Sequence, residues 1–175
     1  LSAFPDDIII TIDDDVVYPN NLVEQFMRAH EENPNDVISS RSRKIETMLS
    51  RNWALAEMPQ DADFIYLING VGGTLYPPKC LTHPDAADEK LFMNICPLED
   101  DMWFTFMAIL SGAKIRPIAI FTGTNDIQDI LSWRINPNRL YVENGHLGMT
   151  NLQFSIMLGH YPQVRQILRE KGCLQ

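Results

Sequence analysis

Apolar and polar positions along this chain follow two periods. Ile8-Ile9-Ile10-Thr11-Ile12 is a β-branched run that ends abruptly in Asp13-Asp14-Asp15, the pattern of a buried strand delivering acids to the carboxyl edge of a sheet. Helical spacing follows. Pro19 suits a first helical position, Leu22, Val23, Phe26 and Met27 make one apolar face, and Pro34 ends the run. Val37-Ile38 predicts a short strand, while the stretch 45–60 predicts no element. Phe64-Ile65-Tyr66-Leu67-Ile68 predicts a strand running straight into Asn69-Gly70-Val71-Gly72-Gly73. Residues 85–95 read as a short helix with Leu91, Phe92 and Ile95 inward, broken by Pro97. Leu98 to Gly112 has acids in its first turn, a stripe of Met102, Phe106, Ile109 and Leu110, and a glycine just past its end, the marks of a longer helix. Trp103 lies off that stripe and is expected to face a pocket. Pro117 makes Ile115 to Phe121 an edge strand. Residues 125–143 are polar and read as a long surface loop. Asn151 to Leu158 and Gln163 to Glu170 read as short helices separated by Pro162, with Phe154, Ile156, Val164, Ile167 and Leu168 available for docking.

Length and charge narrow the function classes. A chain of 175 residues suits one domain with a real core. A formal charge of -9 argues against nucleic acid as a partner, because binding a phosphate backbone needs clustered Lys and Arg. The three cysteines show no C-x-x-C spacing and read as reduced thiols rather than a disulfide framework or zinc site. No apolar run approaches bilayer length, so a cytoplasmic location is expected, with peripheral attachment at the inner face of a membrane left open.

The candidate chemistry sits at the ends of the predicted strands. Adjacent carboxylates on a buried edge call for a positive neighbour, and a divalent cation with oxygen ligands supplies one; capping of the following helix would account for a single Asp only. Arg41, Arg43 and Lys44 form the dense basic patch of the chain, suited either to a phosphate or to a solvated turn. The glycines let the backbone approach a ligand or turn sharply, yet match neither the dinucleotide nor the P-loop spacing. Glu99, Asp100 and Asp101 are favoured at a helix start by the dipole alone.

In order, Asp13-Asp14-Asp15, then Gly70-Val71-Gly72-Gly73-Thr74-Leu75-Tyr76-Pro77-Pro78, then Glu99-Asp100-Asp101-Met102-Trp103 resemble the motifs of nucleotide-sugar glycosyltransferases of GT-A fold, the bacterial family-2-like enzymes of capsular and lipopolysaccharide synthesis. The match covers roughly Phe4 to Pro117. It implies an α/β, Rossmann-like mixed sheet flanked by helices, with 1–175 as one partial domain and 122–175 as its C-terminal extension. In that family the first half of the nucleotide site precedes the D-x-D strand, so this chain is expected to be the C-terminal part of such a domain. The resemblance also implies a sugar transferred, with inversion, from a nucleoside-diphosphate donor to a saccharide acceptor. Mn²⁺ or Mg²⁺ would be bound by Asp13 and Asp15, with His146 as a further ligand, and Asp101, or Asp100 beside it, would be the base. Asp13, Asp14, Arg43, Gly72, Gly73 and Trp103 would contact donor or acceptor, Trp103 by stacking on a sugar. The rival readings are a metal-dependent phosphohydrolase and a non-catalytic carbohydrate-binding remnant. Oligomeric state is not legible.

Overall fold

A computed structural model describes residues 4–14, 16–56, 59–120, 128–129 and 148–174. The elements are, in order, β1 (Ile9–Thr11), β2 (Val16–Val17), α1 (Leu22–Glu32), β3 (Val37–Ser39), β4 (Ser42–Lys44), β5 (Tyr66–Ile68), β6 (Thr74–Tyr76), α2 (Glu89–Ile95), α3 (Asp100–Leu110), β7 (Ile115–Pro117), β8 (Gln128–Asp129), α4 (Met149–His160) and α5 (Pro162–Glu170). The protein is α/β, with a mixed four-stranded sheet ordered β1-β6-β3-β7. β6 is antiparallel to both neighbours, and β3 is parallel to β7. β2 pairs with β8 and β4 with β5 in two smaller antiparallel ladders.

Strand alternation produces the layers. Successive side chains point to opposite faces, so Ile9, Val37, Tyr76 and Ile115 turn toward one hydrophobic cluster while Ile10, Ile38 and Leu75 turn toward another. The first face is covered by α3, α4 and α5 through Met102, Phe106, Phe154, Leu158, Val164 and Leu168. On the second face lies α1, through Leu22 and Phe26. Their i, i+4 spacing stacks them on one side of the helix. Phe106 and Phe154 meet edge to face at 6.0 Å, and Trp53 packs on Phe154 at 4.8 Å, which brings the 45–60 stretch into the same core. The C-terminal helices are therefore part of the main core.

Several expectations change. β1 is not a buried strand: among the described residues it pairs on one side only, its residues are half-buried or exposed, and Ile12 beyond it is 57% exposed. Val23 and Ile156 leave the docking faces assigned to them, because each lies a step around its helix from the packed stripe and meets solvent. The expected helix over 85–95 begins as a 3-10 turn at Pro84–Ala87, and α2 starts only after Asp88, whose side chain accepts the Leu91 N–H. The loop expected over 125–143 falls outside the described residues apart from β8. Cys80, Cys96 and Cys173 are buried and free. Among the described residues no helix is long and apolar enough to cross a membrane.

Phe106 is fully buried between the sheet and α4. Phe106→Ala is expected to cost about 3–5 kcal/mol of stability, read as a lower urea midpoint with an unchanged slope.

Candidate functional site

The register of β1 against β6 sets the site. Thr11 stands opposite Thr74, so the chain leaving β1 toward Asp13 passes the turn that enters β6, a 3-10 turn at Gly70–Gly72. Tyr18 ties the two. Its hydroxyl accepts the Asp13 N–H at 2.9 Å and donates to the Val71 carbonyl at 3.0 Å. The start of α3 arrives from the other side. Gly70 N–H donates to Asp101 Oδ2 at 2.9 Å, and a Cβ added at Gly70 would stand 2.6 Å from Asp101 Oδ1. Thr105 aligns the helix, since its hydroxyl accepts the Ile68 N–H at 3.0 Å and donates to the Asp101 carbonyl at 2.7 Å. Residues far apart in the chain are thus tied to one glycine turn, Asp101 directly through Gly70 and the Asp13 backbone through Tyr18.

Each glycine has its own reason. Gly73 takes φ +85, a left-handed conformation that disfavours any side chain. A Cβ at Gly72 would collide with the Ser40 hydroxyl and stand 2.7 Å from Arg41 Cβ. Both are buried and shape the turn. The amide directed at a carboxylate belongs to Gly70, which spacing alone did not single out.

Electrostatics distinguish the acids. Burial is the largest influence on Asp101 and raises its carboxyl from the ordinary 3.8 to about 7. The Gly70 N–H opposes this, while the charges of Asp100, Glu99 and Asp13 add to it. Burial exceeds the neighbouring charges as the cause. Glu99 is also raised, first by burial, against the Thr150 hydroxyl that bonds it and the positive charge of Arg43. Asp13, Asp14 and Asp100 are exposed.

The remaining expected residues divide. Trp103 is 2% exposed, packs against Phe92 and Tyr161, and donates Nε1–H to the Ala86 carbonyl at 3.4 Å. It belongs to the core, with no face open for sugar stacking, because its position on α3 turns toward α2 and the junction of α4 and α5. Arg43 spends Nη1 on the Trp53 carbonyl at 3.0 Å. Asp15 and His146 lie outside the described residues. A cavity of about 280 Å³, lined by Phe4, Ile9, Tyr76, Pro78, Lys79 and His83 among others, lies at the opposite end of β1 and includes none of Asp13, Asp100 and Asp101. That cavity and the carboxylates therefore occupy different places, and the carboxylates carry the candidate site.

For a divalent cation, the exposed oxygen donors Asp13 and Asp14 match the preference of Mg²⁺ and Mn²⁺, and the negative field that raises Asp101 is one a cation would offset. Among the described residues no group of three His, Cys, Asp or Glu side chains is assembled around a metal position.

Because folding raises the proton affinity of Asp101, the native state holds a proton that the unfolded chain has released between about pH 4 and pH 7, so this group's contribution to stability falls as pH rises through that window. Asp101→Asn is expected to shrink the drop in urea midpoint between about pH 5 and about pH 8. An unchanged drop would remove Asp101 as its source. No protein-family model, curated protein or solved structure matches this chain.

Proposed function

We propose that the chain carries the acceptor-activating part of a sugar transferase that uses a nucleoside-diphosphate donor. The observation that carries this reading is the convergence of Asp13 and Asp101 on one glycine turn, through Tyr18 and through Gly70. Sugar transfer needs two acidic functions close together: one facing the departing diphosphate, and one to take a proton from the attacking hydroxyl. Asp101, with its carboxyl raised to about 7, suits the second. Half its population is ionised near neutral pH, and the Gly70 N–H holds it oriented while it accepts the proton. The charge of Asp100 beside it adds to the rise of its carboxyl. Tyr18 holds the acid loop against the turn, which fixes the spacing between the two functions.

Asp13 and Asp15 would hold Mn²⁺ or Mg²⁺, whose positive charge stabilises the leaving diphosphate. Inverting displacement is the stereochemical course that a single base beside the acceptor supports, and the saccharide acceptor is its expected nucleophile. Exposed Asp14 is left as a spacer or a weak donor contact.

Calorimetry with Mn²⁺ and a panel of nucleoside-diphosphate sugars tests the binding half. Asp15→Ala is expected to abolish metal-dependent donor binding, and equal binding by both proteins would refute the metal assignment. For turnover, kcat/KM is expected to rise with pH through about 7 as Asp101 ionises. Asp101→Asn should lower the rate by about 10²–10⁴-fold while leaving donor binding intact. Metal-dependent phosphate release with no acceptor requirement would instead indicate hydrolysis.

A further inference from the structure

The basic cluster separates once its contacts are considered. Lys44 pairs with Glu46 at 3.5 Å, and Arg43 donates to the Trp53 carbonyl. Arg41 does neither. It is half-buried, its Nε is buried without a hydrogen-bond partner, and among the described residues it joins no ion pair. Its backbone has no slack. The Arg41 carbonyl accepts from the Ser39 hydroxyl at 2.5 Å and from the Asn69 N–H at 3.0 Å, and the preceding Ser40 hydroxyl donates to the Gly72 carbonyl. Its Cβ lies so near Gly72 that a methyl group there would come within 2.7 Å. The side chain therefore leaves the backbone beside the glycine turn from a fixed position.

Burial lowers the proton affinity of Arg41, and the neighbouring charge of Arg43 lowers it further. Two guanidinium groups held near each other, one with a buried N–H unpaired, are unfavourable until an anion joins them. The planar fork of arginine matches phosphate oxygens, and a phosphate brings about two negative charges where a carboxylate brings one. Along the same turn, Gly70 meets the Asp101 carboxylate and Gly72 meets the backbone N and Cβ of Arg41, so the two side chains start from neighbouring positions of one turn.

We propose that Arg41, with Arg43 beside it, forms an anion subsite at the glycine turn that takes a phosphate group. This phosphate is either the diphosphate of the donor or that of a phosphorylated acceptor. Only the choice between these sources rests on the transferase reading; the subsite itself does not need a metal.

Titration with inorganic pyrophosphate in EDTA tests the subsite apart from the metal. The chain is expected to bind, with a shift of the Arg41 Nε–H resonance, which is assigned by its loss in Arg41→Lys. Arg41→Gln should weaken binding at least about tenfold and Arg41→Lys by less, while Asp15→Ala leaves it unchanged. No binding by the native chain, undiminished binding by Arg41→Gln, or an Arg41 Nε–H that does not move would each overturn the proposal. The resonance decides if Arg41→Gln does not fold. Loss of pyrophosphate binding in Asp15→Ala but not in Arg41→Gln would overturn the subsite and leave the metal reading standing. Uridine diphosphate binding more tightly than pyrophosphate through Arg41 assigns the donor, and glucose 6-phosphate doing so assigns the acceptor.

Discussion

β6 is hydrogen-bonded on both sides, and its antiparallel register with β1 fixes where the acids stand. Because the strands run in opposite directions, the end of β1 and the beginning of β6 share one edge of the sheet. The acid loop and the glycine turn must therefore be neighbours. A slip of β1 by one residue would turn Ile9 from the large cluster toward α1 and move the acid loop along the glycine turn that Tyr18 reaches. Packing on both faces thus protects a polar arrangement at the edge.

The glycine turn is the point where three segments are held together. Asp101 fastens it to α3, Tyr18 to the acid loop, and Ser40 to the chain leaving β3. Side chains at Gly70 or Gly72 would strike these neighbours, and Gly73 needs its positive φ. The same closeness excludes water around Asp101, and that burial, more than the adjacent acids, raises its proton affinity. Backbone fit and acid strength have one origin. On the Gly72 side, tight packing buries part of Arg41 and leaves its Nε unpaired, so the turn separates an acidic region from a cationic one.

Much of the architecture was legible because it depends on periodicity. The 3.6-residue pattern located α1, α3, α4 and α5, and the strand runs located β1, β3 and β5, since each buries a face whose spacing is fixed by backbone geometry. Exposure was less legible. The Ile8 to Ile12 run looks buried from composition, but whether a strand is central or at an edge depends on its partners, and β1 has one among the described residues. Trp103 looked free because the apolar stripe of α3 was drawn too narrowly; a helix covered by the sheet, α2 and α5 buries nearly all its circumference.

Sequence alone determined the acids at the end of β1, the glycines after β5 and the acidic opening of α3, because strand ends, turns and helix starts are local properties. It could not decide that these meet. That depended on β1 pairing with β6, on Thr105 drawing α3 against the end of β5, and on a phenol spanning Asp13 and Val71. The preference for Asp101 over Asp100, and for Arg43 over Arg41, came from the resemblance and not from any local property of those residues. Adjacent or alternate residues of the same type differ only through burial and partners, and tertiary packing alone supplies those.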